Sequence, residues 1–467
     1  VKIALVNTNL IKPPIAPIGL EYTAEALAAQ GHEIEILDLA WEEDVDFAIE
    51  SFFRRCDAGL IGVTLRNTDD CAFTTRHSFL DGFASIIRRI RQCTDGFIVL
   101  GGVGFSVMPK KVLEAADADA GIRGEGEFVF PLLAERLQQG KSLADLPGIL
   151  IREDGAWREN PVRFGDVTKL PPMRRNRFDN VRYFREGGQA GVETSRGCHM
   201  PCTFCADPVA KGRTVRTRPH GAVADEIEAL LSQGIDHFHT CDSEFNLDEA
   251  HAASVCEALI ARGLGSRVRW YAYCTPLPFS EKTARLMARA GCVGINFSVD
   301  HGDPGMLKRL GRAFSPEHIL DIALWCKNVG IAVMFDLLLG SQGETRETAI
   351  RAMDLMKQSS ADRIGISLGL RVWPETKIAD ELLLPSPASG LVGGSDPTKP
   401  LFFLEPKSAA DLADWIEAGI GNDPRFLFFN PKNASKNYNY SENRILVEAV
   451  KAGHRGAYWD ILRRLDA

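Results

Sequence analysis

Residues 193–208 read ETSRGCHMPCTFCADP, and three cysteines, Cys198, Cys202 and Cys205, fall within eight positions of that stretch. It follows a short strand-like run and contains an Arg-Gly turn. Thiolates this close together on one loop bind a soft metal. Structural zinc asks for four ligands, usually as two separated cysteine pairs. Here the next cysteine is Cys241, and His199 stands at no accustomed zinc spacing. Three thiolates suit a four-iron cluster in which one iron keeps an open position. Zinc and a mere group of packed thiols are the alternatives that the loop by itself leaves open.

The remaining cysteines, eight of eleven, are scattered singly, which is poor material for a disulfide framework and suits a reducing cytoplasm. Cys56, Cys93, Cys256, Cys292 and Cys326 lie in apolar contexts and are expected to be buried as small hydrophobes. A chain of 467 residues with 45% hydrophobic and 25% charged residues is globular and too long for one core. Lys and Arg (54) against Asp and Glu (62) leave −8, so no net positive field favours nucleic acid. No apolar run approaches the ~18 residues of a membrane span. The opening VKIALVNTNL reads as a buried strand and not as an export signal.

Upstream of the cysteine loop, residues 1–140 alternate short apolar runs (KIALVN, EIEILDL, AGLIGVT, GFIVLGG, AGIRGEGE) with amphipathic helices. In the first helix Leu20, Ala24, Leu27 and Ala28 recur at helical spacing, and Gly31 stands where a helix stops. Strands separated by helices imply a doubly wound, Rossmann-like parallel sheet whose ligand sits at the strand carboxyl ends. Residues 141–188 read as a connector with a small hairpin turning at Asp154-Gly155. From 189 to 380 strand candidates at 190–195, 235–240, 267–273, 292–299, 331–339 and 362–370 alternate with helices, which predicts a partial (β/α)6 barrel. Residues 381–467 read as an α-rich extension with aromatic clusters PLFFLEP, RFLFFNP and NYNYSEN. That extension is expected to cap the barrel mouth or to meet substrate, with Arg444, Arg455 and Tyr458 as candidate contacts.

Placed after the first barrel strand, RGCHMPCTFC resembles the CxxxCxΦC signature of the radical S-adenosylmethionine (SAM) superfamily, with Phe204 in the aromatic slot. The resemblance implies that Cys198, Cys202 and Cys205 hold three irons of a [4Fe-4S] cluster while SAM chelates the fourth. Reduction then cleaves SAM to methionine and a 5′-deoxyadenosyl radical. FHTCDSEFNLD resembles the family's second-strand segment, which makes Asp242 and Glu244 candidates to face the cluster. INFSVDHGDPGMLKRLGR resembles the fourth-strand SAM segment, with Ser298 and Asp300 as its contacts and Asp300 in place of the more usual Glu. FDLLLGSQGETRET and LGLRVWPETK resemble the turns of the fifth and sixth strands.

The N-terminal domain resembles those of cobalamin-binding radical SAM enzymes, through PPIAPIGLEYTAEALAAQGHEIEILDL and GGVGFSVMPKKVLEAADADAGIRGEGE. That match implies a corrin pocket from Gly101, Gly102, Val103, Gly124, Glu125 and Gly126, with Thr64, Leu65, Arg66 and Asn67 at the lower face. No D-x-H-x-x-G occurs, so the resemblance carries no histidine ligand to cobalt. A second cluster on Cys56, Cys71 and Cys93, as in methylthiotransferases, is disfavoured by their positions. The activity implied is a class B radical SAM methyltransferase that methylates an unactivated carbon, or less often phosphorus, of a small molecule through methylcobalamin. An external one-electron reductant such as flavodoxin or ferredoxin would serve it. Its rivals are a cobalamin-dependent cyclase, ring-contraction or rearrangement enzyme, and a non-catalytic cobalamin or SAM sensor.

Overall fold

The run Lys2–Asn7 (β1) is apolar at consecutive positions, which suits a strand covered by helices on both faces, and Ile3 to Val6 are fully buried. The structure, a computed structural model, describes residues 1–431 and 443–466. It divides into two units: Val1–Asp70, His77–Asn180 and Val209–Gly212; and Cys71–Arg76, Val181–Pro208 and Arg213–Ala467.

In the first unit β1 is joined by β2 (Glu33–Asp38), β3 (Leu60–Thr64), β4 (Phe97–Gly101) and β5 (Ala120–Ile122) in a parallel sheet of order β2-β1-β3-β4-β5. This order reverses between β1 and β3, the switch point where doubly wound sheets bind ligands. The helix Ile18–Ala29 leads from β1 to β2, and Gly31 follows it at φ 82, a left-handed stop that glycine adopts without strain. The connector contributes β6 (Ile149–Glu153) and β7 (Ala156–Glu159), which extend the sheet antiparallel beyond β5. Their hairpin turns at Asp154 (φ 50) and Gly155 (φ 83), the two left-handed positions of a tight hairpin turn. The irregular segment that follows is anchored by Arg175, fully buried, whose Nε–H donates to Glu21 of the first helix at 2.7 Å. Asn180 donates to the other Glu21 oxygen at 2.9 Å.

The second unit is built on seven parallel strands. The first are β8 (Ala190–Val192), followed by the short pair β9 (Ser195–Arg196) and β10 (Arg216–Thr217), and then β11 (His237–Thr240). β12 (Arg269–Cys274), β13 (Cys292–Asp300), β14 (Ala332–Leu339) and β15 (Arg363–Leu368) follow. A small sheet of β16 (Leu370–Arg371), β17 (Leu391–Val392) and β18 (Phe402–Phe403) precedes β19 (Phe426–Phe428). The large sheet runs β19-β15-β14-β13-β12-β11-β8. The six expected strands are all present, and β19 in the α-rich extension adds a seventh, parallel to β15. Alternate residues of each strand, among them Phe238, Ala272, Phe297 and Phe335, pack outward into the main core under the helices.

The two parts of the extension lie at opposite ends of the sheet: Glu405 N donates to Gly340 O (2.9 Å) just past β14, and Leu401 and Phe403 pack in a cluster that Phe204 of the cysteine loop joins. The last helix of the extension, Tyr458–Leu465, sits by the amino-terminal parts of the strands, where Trp459 packs with Tyr271 and Met334. Tyr271 donates its hydroxyl hydrogen to Asp460 at 2.8 Å. Tyr458 is buried, Arg455 donates to the Val450 and His454 carbonyls with its guanidinium 5.2 Å from the Phe184 ring centroid, and Arg444 is exposed on a helix. These three residues are therefore packing or surface groups, because the segment that carries them lies at the opposite end of the barrel from the cysteine loop. Tyr438 and Tyr440 of NYNYSEN lie outside the described residues. Among the described residues no helix is long and apolar enough to cross a membrane.

Candidate functional site: a cysteine loop at the strand carboxyl ends

The cysteine loop leaves β8 and is fixed at its root by Asp242, just past β11. That carboxylate accepts hydrogen bonds from Thr194 N (2.7 Å), Ser195 N (2.6 Å) and the Thr194 hydroxyl (2.9 Å). Burial lifts the Asp242 carboxyl to about 6, outweighing those three donors. Asp242, expected from sequence to face the cluster, thus has both carboxylate oxygens engaged by the root of the loop. On its far side the loop is clamped by Thr203, whose N–H donates to Leu310 O (3.2 Å) and whose carbonyl accepts from Ile378 N (2.9 Å). Gly311 permits this approach: it stands at φ 82, and a Cβ there would lie 2.4 Å from the Pro201 carbonyl oxygen.

Cys198 is buried, and Cys202 and Cys205 are half-buried. Burial pushes all three thiols up, Cys202 to about 11. Arg312 counters this at Cys202, and its guanidinium lies 6.0 Å from the centroid of Phe204, the aromatic residue of the loop. The Arg312 Nε–H donates to Asp300. Asp300, expected to meet SAM directly, is therefore already paired, and it closes β13 in a left-handed conformation (φ 63). Glu244 is buried beside it; burial raises its carboxyl to about 7 while Arg312 and a hydrogen bond from Ser298 oppose the rise. The Glu244 Oε2, the Ser243 hydroxyl and the Ser341 hydroxyl are buried without hydrogen-bond partners. Behind them His301, fully buried, accepts the Asp303 N–H at Nδ1 (2.9 Å), so its Nε2–H donates to Glu344 (3.2 Å). Glu344 also accepts from Gly340 N at 3.1 Å and from the Thr348 hydroxyl, which ties the β13 and β14 ends together.

This donor set fits a [4Fe-4S] cluster and SAM. The three thiols are free and share one loop, and a cluster takes each thiolate on a different iron. The orphaned Glu244 and serine oxygens are the kind of buried polar atoms that a bound group satisfies. Arg312, Ser243, Ser341 and the His301–Glu344 pair were not singled out from sequence. Arg312 ends the quoted fourth-strand segment, and its spacing of twelve from Asp300 reveals nothing until the chain folds back. Of the single cysteines expected in the core, Cys56, Cys256, Cys292 and Cys326 are buried and Cys93 is half-buried.

In the first unit the predicted corrin residues gather at the carboxyl ends of β3, β4 and β5. Leu65 N donates to Gly101 O (2.8 Å), and Gly104 N to Leu65 O (3.0 Å). At Gly102 (φ 100) a Cβ would lie 2.5 Å from Leu65 O and 2.6 Å from the Thr64 hydroxyl. This glycine thus lets the two loops touch. Gly101 is more open, with its nearest neighbour for a Cβ at 3.9 Å. The Gly124 N–H is taken by the Ser106 hydroxyl (3.0 Å), and Glu125 accepts from Gly165 N (2.7 Å), so these two shape the loop from within. A Cβ at Gly126 would stand 3.1 Å from the Thr23 hydroxyl. Val103 (46% exposed) and Leu10 (42%) present bare apolar side chains at the ends of β4 and β1, while Arg66 and Asn67 are half-buried. The loops 8–17, 65–69, 102–104 and 123–125 contain no histidine. Apolar side chains flanked by amide and guanidinium groups fit a broad corrin with an amide-bearing rim.

Comparison with known proteins agrees in both units. The family model described as the Radical SAM superfamily matches residues 192–356, and that of the B12 binding domain matches residues 5–134. The tryptophan 2-C-methyltransferase of Streptomyces laurentii is 34% identical over 451 residues, covering 81% of this chain and 74% of the relative. Among solved structures, the radical S-adenosylmethionine methyltransferase TsrM from Kitasatospora setae, bound to tryptophan and the SAM analogue aza-SAM, superposes with a TM-score of 0.93. Identity there is 30%, over 100% of this chain and 98% of that one. The same enzyme with cobalamin and a [4Fe-4S] cluster gives a TM-score of 0.90 at 28% identity, over 100% and 97%.

Proposed function

This chain belongs to the cobalamin-binding radical SAM methyltransferases, and from that membership we propose that its substrate is tryptophan or a closely similar indole, methylated on a ring carbon. The enzyme uses a [4Fe-4S] cluster, SAM and cobalamin to methylate a small molecule. When bound, the cluster supplies one-electron chemistry at SAM, and cobalamin carries the methyl group.

The chain's own residues bind, orient and balance charge. Cys198, Cys202 and Cys205 would hold the irons, with the fixed charge of Arg312 offsetting that of the thiolates. Glu244, Ser243 and Ser341 offer their unpartnered oxygens to SAM or to the cluster edge. Asp300 acts through Arg312, and Asp242 keeps the loop at its root. In the first unit Thr64, Leu65, Arg66 and Asn67 would meet one face of the corrin, with Gly101, Gly102 and Val103 beside them. Gly124, Glu125 and Gly126 support that wall. The domain limits we favour remain 1–140, 141–188, 189–380 and 381–467 as functional divisions. A cytoplasmic location with flavodoxin or ferredoxin as electron donor suits a chain whose eleven cysteines are all free.

The observation that carries the substrate is the end-to-end likeness to an enzyme solved with tryptophan bound. The test is anaerobic reconstitution with iron, sulfide and cobalamin, then incubation with methyl-labelled SAM and a panel of indoles. Label in a ring-methylated product with matching S-adenosylhomocysteine is expected. Label transfer to no indole overturns the substrate, and deoxyadenosine without any methylated product favours the rearrangement class instead.

A further inference from the structure

The inner wall of the second unit's sheet carries polar groups that the cofactor residues leave unexplained. Alternation sends Phe238, Ala272, Phe297 and Phe335 outward, where all are buried. The inward neighbours behave oppositely: Tyr273 is 39% exposed, and His239 and Asp336 are half-buried. At these three positions the inner face is more exposed than the outer one, whereas Tyr271 and Met334 nearer the strand starts are buried against Trp459.

Four adjacent strands contribute to one arc of that wall. His239 on β11 lies against Tyr273 on β12, with ring centroids 4.7 Å apart and the planes tilted by 49°. Tyr273 is level with Asn296 on β13. Asn296 Nδ2 donates to Asp336 Oδ2 on β14 at 2.8 Å. His239 Nδ1 lies 2.6 Å from the Thr240 carbonyl oxygen, which only accepts, so Nδ1 carries the hydrogen and Nε2 is an acceptor. Burial lowers the His239 pKa to about 4 and keeps the ring neutral. Asn296 is 2% exposed, and with its amide nitrogen turned to Asp336 its Oδ1 has no hydrogen-bond partner. The arc is thus a row of acceptors: an imidazole nitrogen, an amide oxygen and a carboxylate. Of these only Asn296 Oδ1 is buried without a donor, which is unfavourable and is kept where a ligand brings the donor.

We propose that Asn296 and Asp336 anchor a cationic primary ammonium group of the substrate, with the aromatic part of the substrate lying along Tyr273. The ammonium supplies several N–H donors, one for Asn296 Oδ1 and others for the Asp336 carboxylate, and its charge opposes that of Asp336. The proposal rests on the methyltransferase reading above and narrows its substrate to amines, whether free amino acids or decarboxylated ones.

Binding to the cofactor-loaded protein, measured by equilibrium dialysis, tests it with tryptophan, tryptamine, indole-3-propionate and phenethylamine. Asp336→Asn and Asn296→Leu are each expected to weaken tryptophan and tryptamine at least tenfold while leaving the weaker indole-3-propionate unchanged. Iron and cobalamin content and far-ultraviolet circular dichroism report whether the variants fold. The wild-type contrast of tryptamine with indole-3-propionate stands without them. Equal binding of those two ligands to wild type, equal losses for both in Asp336→Asn, or failure of every amine to bind overturns the anchor. The two readings separate cleanly. Phenethylamine binding that depends on Asp336, with no indole bound, keeps the anchor and removes the indole. Indoles that bind independently of Asp336 do the reverse.

Discussion

Asp300 and Arg312 form an ion pair with both side chains 5% exposed, at the point where the ladder between β13 and β14 slips. Asp300 adopts φ 63 there, a conformation that costs a non-glycine residue on the order of 1–3 kcal/mol. The pair lays the guanidinium beside Phe204 and the thiols.

Removing one member should therefore be far worse than removing both. Arg312→Ala strands a buried carboxylate and is expected to lower stability by about 3–5 kcal/mol in urea. The double variant Asp300→Asn/Arg312→Met should lose less than Arg312→Ala alone. A double variant at least as unstable as the single one would show that Arg312 stabilises through Phe204 packing instead.

Cluster assembly should depend on the loop thiols and not on thiols in general. Cys198→Ala, Cys202→Ala and Cys205→Ala are each expected to leave almost no iron or sulfide after reconstitution. Cys256→Ala, a change within the apolar core, should retain both and the visible absorption. Loss of iron in Cys256→Ala with a normal fold would point to a different ligand set.

Glu244 should make the metal-free protein less stable as pH rises. Its carboxyl is raised to about 7 from an ordinary value of 4.5, chiefly by burial. Between those values the folded state binds more protons than the unfolded, so unfolding free energy falls with pH across that window and levels above it. A shift of this size corresponds to about 3 kcal/mol at most. Chemical denaturation from pH 4.5 to 8 should show the slope, and Glu244→Gln should reduce it, leaving below pH 6 the part that Asp242 contributes. An unchanged slope in Glu244→Gln assigns the effect elsewhere.

The helix at the lower end of the barrel leaves no room at Gly456. It stands at φ 114, and a Cβ would lie 2.3 Å from the Tyr271 hydroxyl. Gly456→Ala is expected to cost about 2–4 kcal/mol through backbone strain and displacement of the Tyr271–Asp460 hydrogen bond. Tyr271→Phe should cost only about 1 kcal/mol, because Asp460 keeps Arg463 and Arg464. Equal losses in the two variants would place the whole effect in the hydrogen bond.

Behind the cysteine loop, Glu344→Ala leaves the His301 Nε2–H, the Gly340 N–H and the Thr348 hydroxyl without their common acceptor. A loss of about 3 kcal/mol or more is expected, against about 1 kcal/mol for Glu344→Gln. Thermal unfolding of the two variants side by side measures the difference.

The fold and the three-cysteine loop were legible in the sequence because both are local signals. Strand and helix period appear within a few residues, so the candidate at 292–299 returned as Cys292–Asp300 and that at 331–339 as Ala332–Leu339. The cysteines share one loop, so their spacing is visible without any knowledge of the fold. β19 was hidden because three residues, Phe426–Phe428, give no measurable alternation, and they join the sheet only by pairing with β15, some sixty positions earlier.

Direction was the other thing that sequence withheld. Asp242 and Asp300 were identified as acidic residues at strand ends, yet one faces backbone amides and the other a guanidinium. Asn296 and Asp336 are forty positions apart and look like isolated polar residues inside apolar strands. The chain alone determined which elements form and which thiols share a loop, since periodicity and thiol spacing are encoded in neighbours. Tertiary structure decided which polar atom is satisfied and which is left waiting, because a hydrogen bond is a meeting of two side chains in space, and only the closed sheet brings those pairs within reach.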